Sequence, residues 1–144
     1  MSNKNNDDLK RQASENTLGL NPIIALRKKD LLASAKMVLI QAIKQPLHSV
    51  KHVAHFGVEL KNVMFGKSEL VPESDDRRFN DPAWSQNPLY KRYLQTYLAW
   101  RKELHDWIGD SNLSDQDISR GHFVINLMTE AMAPTNSAAN PAAV

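Results

Sequence analysis

The stretch that decides the fold is "RRFNDPAWSQNPLYKRYLQTYLAW", residues 77–100. Its first half holds two prolines and a tryptophan, which is typical of irregular backbone. Asn87 then offers an N-cap and Pro88 a first helical position, so we predict a helix that begins here and runs to about Ile108. Gly109 follows as a stop signal. The apolar positions recur at helical spacing and are Tyr90, Tyr93, Leu94, Tyr97, Trp100, Leu104, Trp107 and Ile108.

Aromatic residues are dense in and just before this helix. A helical aromatic stripe most often belongs to a core, yet rings at this density are also typical of an interface between domains. We therefore predict a possible interface formed by Trp84, Tyr90, Tyr93, Tyr97, Trp100 and Trp107.

Two amphipathic helices are predicted within residues 21–65. Asp30 is a suitable N-cap for the first helix, whose apolar face comprises Leu31, Leu32, Ala35, Val38, Leu39, Ala42 and Ile43. Pro46 ends that helix and opens the second, which extends to about Met64 and stops at Gly66. The residues expected to face the core in the second helix are Leu47, Val50, Val53, Ala54, Val58, Leu60 and Val63.

The remaining segments complete an all-α prediction with about four amphipathic helices. Residues 1–20 are polar and are expected to be disordered. Residues 66–87 lack periodicity and are expected to form an extended linker that adds little to the core. Residues 88–144 form an aromatic-rich helical region, in which Ser114 and Asp117 resemble a capping box. The helix that they open carries Ile118, Gly121, His122, Ile125, Met128 and Met132 on one face and ends before Pro134.

Composition excludes several classes of function. The chain has no cysteine, which excludes a disulfide framework, a thiolate metal site and a cysteine nucleophile within it. No apolar run is long enough to span a membrane, and the first residues lack the apolar core of a secretory signal, so the cytoplasm is the expected location. The basic half has few aromatic residues and no nucleic-acid-binding motif, which argues against a nucleic-acid partner.

Charge is unevenly distributed along the chain. Residues 1–67 contain 11 Lys/Arg and 5 Asp/Glu, a balance of +6, whereas residues 68–144 contain 7 and 11, a balance of −4. A basic half suggests an anionic partner, although two oppositely charged halves can also attract each other or be solvated. Basic amphipathic helices are of the type that lies on a lipid-like interface, while packing of both apolar stripes into the core is the open alternative.

Four polar residues, His48, His52, His55 and Glu59, share one face of the second helix. His48 and His52 have the spacing of a zinc-binding pair, but His48 and His55 are about 10 Å apart along the helix axis. A single metal would not gather all of them, so we expect a solvated polar face. The sequence has no nucleophile elbow, phosphate-binding loop or dinucleotide fingerprint, and no catalytic residue or cofactor is predicted.

The same segments resemble a known family. "DDRRFNDPAWSQNPLYKRYLQTYLAW" (75–100) and "LMTEAMAPTNSAANPAA" (127–143) are similar to the N-terminal region of polyhydroxyalkanoate synthases, the bacterial storage-polyester polymerases. "MSNKNNDDLKRQASENTLGLNP" (1–22) and "AIKQPLHSVKHVAHFGVELKNVMFGKS" (42–68) resemble the class II, medium-chain-length branch typical of pseudomonads. The resemblance covers essentially the whole chain, in order.

This resemblance implies an acyltransferase that joins (R)-3-hydroxyacyl units from coenzyme A thioesters into a polyester. The family's chemistry uses a cysteine, an aspartate and a histidine on an α/β-hydrolase domain. We expect that domain to be absent here and the fragment to be inactive, and the uncapped ending at Val144 fits a truncated chain. No catalytic residue of the family can be placed on this sequence.

The resemblance also implies a location at the polyester granule surface in the cytoplasm. The expected partners are that surface, granule-associated proteins, the catalytic domain of the same enzyme and a second copy in a homodimer. The basic helices are expected to touch the granule and the aromatic residues to dock on the catalytic domain. The alternative is an independent helical adaptor that binds a membrane or granule surface.

Overall fold

The computed structural model describes residues 22–138 and 140–141. The helices are α1 (Pro22–Lys44), α2 (Pro46–Met64), α3 (Ala83–Gln86), α4 (Pro88–Gly109) and α5 (Asp115–Ala131), with 3-10 helices at Arg77–Phe79 and Pro134–Asn136. No strand occurs among the described residues, and the all-α prediction is confirmed. The expected disorder of residues 1–20 lies outside the described part of the chain.

Helix α1 begins earlier than predicted. It starts at Pro22, a residue whose fixed φ and missing N–H suit a first helical position. Asp30 therefore lies inside the helix and is exposed, so the predicted N-cap is wrong. The predicted start of the second helix is confirmed, because Pro46 occupies the first turn of α2.

The end of α2 follows its glycine signal. Gly66 has a φ of 70°, and the helix ends two residues earlier, at Met64. A left-handed residue just after a helix redirects the chain and lets its N–H reach the last carbonyls, as the Gly66 N–H does to the Val63 oxygen.

The segment 66–87 differs from the extended linker predicted for it. It contains the first 3-10 helix and α3, which bury Phe79 and Trp84 in the core. The first residues of this segment are fixed to α4 by the Gln95 side chain, which donates hydrogen bonds to the carbonyl oxygens of Ser68 and Leu70. These short elements have no periodic pattern that could have predicted them.

Helix α4 lies at the centre of the fold and contacts α2, α3, α5 and the C-terminal 3-10 helix. Its predicted start is confirmed, since the Asn87 side chain accepts from the N–H groups of Leu89 and Tyr90. The start of α5 is also confirmed, with Ser114 Oγ accepting from the Asp117 N–H. Because α4 has neighbours on several sides, four of its predicted apolar positions are buried within this chain, namely Leu94, Tyr97, Trp107 and Ile108.

The core consists of two clusters along α4. The first packs Phe79, Trp84, Leu94, Tyr97 and Ala133 together, and the rings of Phe79 and Trp84 meet edge to face at 5.4 Å. The second contains Trp107, Ile108 and Ile125. The Tyr97 hydroxyl donates to the Thr129 carbonyl at 3.1 Å, and burial raises the pKa of this phenol.

The structure contradicts the predicted inward faces of α1 and α2. Most of the expected core residues are exposed, namely Leu32, Leu39, Ile43, Leu47, Val50, Val53, Ala54 and Val58. Val63 is buried, and Val38 and Ala42 pack against the Trp107 cluster. Helix α2 instead turns His48 and His52 towards α4, so the predicted solvated face is wrong for these two histidines, whereas His55 is exposed.

An ion-pair network ties the first 3-10 helix to α5. The Arg78 guanidinium donates to both Asp76 carboxylate oxygens, at 2.8 and 2.7 Å, and to the Glu130 carboxylate. Arg101 lies 4.0 Å from Glu130. The hydrogen bonds from Arg78 lower the pKa of Asp76, whereas its carboxylate partners raise the pKa of the guanidinium.

Gly121 allows α5 to cross α4 closely. A Cβ atom at this position would overlap Ile108 Cγ1 and lie 2.8 Å from Ile108 Cδ1, and Ile108 is fully buried. We expect Gly121→Ala to lower the free energy of unfolding by about 1–3 kcal/mol, since overpacking outweighs the gain in helix propensity. Urea denaturation followed by circular dichroism measures the change.

Gly57→Ala is the matched control, because a Cβ atom there meets nothing within 4 Å. In a helix interior the same substitution is expected to stabilise by about 0.5–1 kcal/mol. Equal effects of the two substitutions would contradict the close crossing of α4 and α5.

Arg78→Gln tests the ion-pair network. We expect it to cost about 1–2 kcal/mol at pH 7 because it leaves Asp76 without its bidentate partner. A carboxyl with a lowered folded-state pKa contributes stability above its ordinary value of 3.8 and loses it as pH falls through the folded value. The difference between wild type and variant should therefore shrink below about pH 4.

The control for Arg78 is Arg120→Gln. Arg120 forms an exposed pair with Asp117 at 3.4 Å, and removal of such a pair is expected to change stability by less than about 0.5 kcal/mol. Urea denaturation from pH 3 to pH 7 compares the variants. A pH-independent cost of Arg78→Gln would show that the carboxylates are not its main partners.

Candidate functional site

The exposed sides of α1 and α2 form an apolar face. We define this face as the exposed side chains Leu32, Leu39, Ile40, Ile43, Leu47, Val50, Val53 and Val58. Leu47 has 86% of its surface exposed. Large apolar side chains concentrated on one pair of elements indicate a surface that a partner covers.

The two helices that carry the apolar face follow each other almost without interruption. The Gln45 N–H donates to the Gln41 oxygen, and the Ser49 N–H donates to the Gln45 oxygen, so helical hydrogen bonding continues across the junction. Only Gln45 separates the helices.

Lysines accompany the apolar face. Lys36 and Lys44 of α1 and Lys51 and Lys61 of α2 are exposed. Among the described residues of these two helices, only Asp30 and Glu59 are acidic. The region therefore combines exposed apolar area with positive charge.

An open cleft of about 460 Å³ lies where α1, α2 and α4 meet. Its lining is mostly apolar and includes Leu39, Val53, Phe56, Trp100 and Leu104, and His52 and Glu103 also line it. Leu39 and Val53 belong to the apolar face as well, so the cleft and the face are continuous. Aliphatic chains are the ligands that such a lining suits.

Histidines dock α2 on α4. His48 Nε2–H donates to the Trp107 carbonyl oxygen at 2.8 Å, and the Trp107 indole N–H donates to Ser49 Oγ at 3.1 Å. His52, only 4% exposed, donates from Nδ1 to Glu103 Oε1 at 2.6 Å. The contact between these helices is therefore largely polar, which the sequence did not reveal because Glu103 comes from another helix.

His55 and Glu59 complete the predicted polar set but have different surroundings. His55 is exposed, and its Nδ1 lies 3.6 Å from Glu103 Oε1. Glu59 accepts from Ser68 Oγ at 2.6 Å and from the Asn62 amide at 3.1 Å. Glu59 therefore anchors the chain that follows α2 and takes no part in the cluster formed by His52, His55 and Glu103.

The predicted aromatic interface residues occupy three kinds of position. Trp84, Tyr97 and Trp107 are buried within this chain. Tyr90 and Trp100 are partly buried against the first core cluster, and Tyr93 is exposed. A docking role for the six residues stays a prediction, and Tyr93 presents the largest accessible fraction to a partner.

A second pair of histidines joins α4 and α5. His105 Nε2–H donates to Asn126 Oδ1 at 3.0 Å, which leaves His105 Nδ1 to accept from His122 Nδ1 at 2.7 Å. Burial and the neighbouring His122 lower the pKa of His105. No carboxylate lies in this pair, and we regard it as a structural contact.

The described residues contain no helix that is both long and apolar enough to cross a membrane.

Comparison with known proteins identifies relatives of the chain. Residues 75–144 match the family described as "Poly-beta-hydroxybutyrate polymerase (PhaC) N-terminus". The chain is 81% identical over its full length to poly(3-hydroxyalkanoate) polymerase 1 of Ectopseudomonas oleovorans, of which it covers 26%. It is 46% identical over 124 residues to poly(3-hydroxyalkanoate) polymerase 2 of the same organism, of which it covers 22%. It thus spans about a quarter of the length of these relatives, and no solved structure matches it.

A matched pair of substitutions on α2 tests which face is buried. Val63 is 2% exposed and Val50 is 64% exposed. We expect Val63→Ala to lower the free energy of unfolding by about 1–3 kcal/mol and Val50→Ala to change it by less than about 0.5 kcal/mol. Helix propensity changes equally in both, so the difference in urea denaturation reports burial alone. A larger effect at Val50 would restore the orientation predicted from the sequence.

Proposed function

Because the chain belongs to the N-terminal region of the class II polyhydroxyalkanoate synthases, we propose that it is part of an acyltransferase that makes storage polyester. The enzyme would join (R)-3-hydroxyacyl units of medium chain length from coenzyme A thioesters and release coenzyme A. The family assignment made from the sequence is confirmed. The chain contains no cysteine, so a cysteine nucleophile would have to come from the rest of such an enzyme.

The role that we propose for this segment is attachment to the polyester granule. The single observation that carries it is the apolar face of α1 and α2, where large side chains such as Leu47 lie in water. A polyester with aliphatic side chains presents an apolar surface, and covering a leucine there gains about 1.5–3 kcal/mol. Several such residues together give a stable attachment without a membrane-spanning helix.

The lysines beside the apolar face support the same role. A storage granule with anionic groups at its surface would attract Lys36, Lys44, Lys51 and Lys61, which are exposed. Each lysine near an anionic surface contributes about 1 kcal/mol. The cleft at the junction of α1, α2 and α4 adds a place where an aliphatic chain can enter.

Further roles belong to the same proposal. Support of the catalytic domain, homodimerisation and contact with granule-associated proteins would use surfaces outside the apolar face, and Tyr93 is an accessible ring for such contact. The protein would then act at the granule surface in the cytoplasm. An independent helical adaptor is less well supported, because the relatives that share the sequence are named as polymerases.

Leu47→Asn tests the attachment. Leu47 follows Pro46 in the first turn of α2 and is exposed, so its loss leaves the fold intact. We expect binding of the chain to particles of medium-chain polyester to weaken by at least about tenfold, because about 1.5–3 kcal/mol for one covered leucine corresponds to roughly 10-fold to 150-fold. Cosedimentation with the particles across a range of polyester concentrations measures the partition coefficient.

The chain offers a close control in Leu89→Asn. Leu89 follows Pro88 in the first turn of α4 and is 75% exposed, but it lies outside the apolar face. This substitution should leave the partition coefficient unchanged. Equal weakening by both variants would indicate nonspecific adsorption, and no binding of wild type would refute granule attachment by this segment.

A further inference from the structure

Two helices bring three metal-binding side chains together. One ligand atom from each of His52, His55 and Glu103 lies within 4.8 Å of the other two. The histidines are three residues apart on α2, and Glu103 projects from α4. The sequence argued against a metal site because His48 and His55 are about 10 Å apart along one helix. Here the third ligand, Glu103, comes from a neighbouring helix, and His48 is not required.

Ligand atoms that share a tetrahedral zinc ion lie about 3.4 Å apart, so the cluster is near this spacing, and its shortest pair is a hydrogen bond that the ion would replace. Glu103 Oε1 is 2.6 Å from His52 Nδ1 and 3.6 Å from His55 Nδ1. Zinc binds imidazole nitrogen and carboxylate oxygen at about 2.0–2.2 Å. Binding would require the hydrogen bond between His52 and Glu103 to open and the His55 ring to shift towards them. Because His55 is exposed, water could fill a fourth position.

The far side of the His52 ring provides a second, independent observation. Its Nε2 atom is buried and has no hydrogen-bond partner. Asp110 Oδ2 is the nearby carboxylate oxygen, 3.7 Å away. A histidine that binds a metal through one nitrogen commonly donates its other N–H to a carboxylate, which fixes the ring. Metal binding at Nδ1 would put a proton on Nε2 and give Asp110 this function.

We propose that His52, His55 and Glu103 bind a divalent transition cation of the zinc class. The ligands are two imidazoles and one carboxylate, with water in the fourth position, a set that zinc accepts readily. Asp110 is a positioning residue that orients His52. The proposal rests on this geometry and does not depend on the polymerase assignment.

The cation would fasten α2 to α4. These helices already meet through His48 and His52, and a metal bond across them would fix the rotation of α2 more firmly than hydrogen bonds alone. Because the apolar face lies on the outer side of α2, its presentation would become dependent on the metal.

Zinc titration of the 144-residue chain, first treated with chelator, tests the proposal. Competition with a chromophoric chelator should show one zinc ion per chain, and zinc should raise the midpoint of thermal unfolding. His55→Ala removes an exposed ligand without disturbing the core, and we expect at least a tenfold loss of affinity. Asp110→Asn should weaken binding about 10-fold to 100-fold. Cobalt in place of zinc should give the visible spectrum of a tetrahedral site.

His122→Asn is the matched control, since it removes a histidine from the other interhelical pair. It should leave zinc affinity and stoichiometry unchanged. Failure of wild type to bind one equivalent, or unchanged affinity in His55→Ala, would overturn the proposal. A loss in His122→Asn as large as in His55→Ala would also overturn it, by placing the ion at the α4–α5 pair.

Discussion

The hydrogen bond between buried His52 and Glu103 is the contact on which the arrangement of the helices depends. When a helix rotates about its axis, the side chains on its opposite faces move together, so a contact that fixes one face also fixes the other. With His52 against α4, Leu47 and Val50 must lie on the outside of α2. The exposed apolar face is therefore a direct consequence of a polar contact on the other side of the same helix.

The cost of breaking these polar contacts favours one orientation of α2. A buried imidazole that lost its carboxylate partner would cost about 1–3 kcal/mol or more, so rotating α2 to bury its valines would break His52 from Glu103 and His48 from the Trp107 carbonyl. Helix α4 supplies both partners within one turn. The central helix thus determines which side of α2 meets water.

The sequence predicted those features that depend on local signals. Pro46, Asn87 and Ser114 mark helix starts because caps and proline geometry act within a few residues. The rotation of α2 could not be predicted in the same way, since the partner of His52 lies 51 residues away. Amphipathic periodicity identifies two faces of a helix but does not state which one is buried. The buried Phe79 and Trp84 were missed because their helices are too short to show a period.

Departures from the local rules are concentrated in the two N-terminal helices. Natural sequences usually violate such rules where function requires it. In the C-terminal part of the chain Ile108 is buried, and the helix starts predicted at Asn87 and Ser114 are formed. If α2 had buried its apolar stripe, the chain would have gained core but lost the surface that a partner can cover. The histidine contact allows α2 to be held in place while that surface stays available. The fold therefore separates the side of α2 that anchors it from the exposed apolar side for which we propose a binding role.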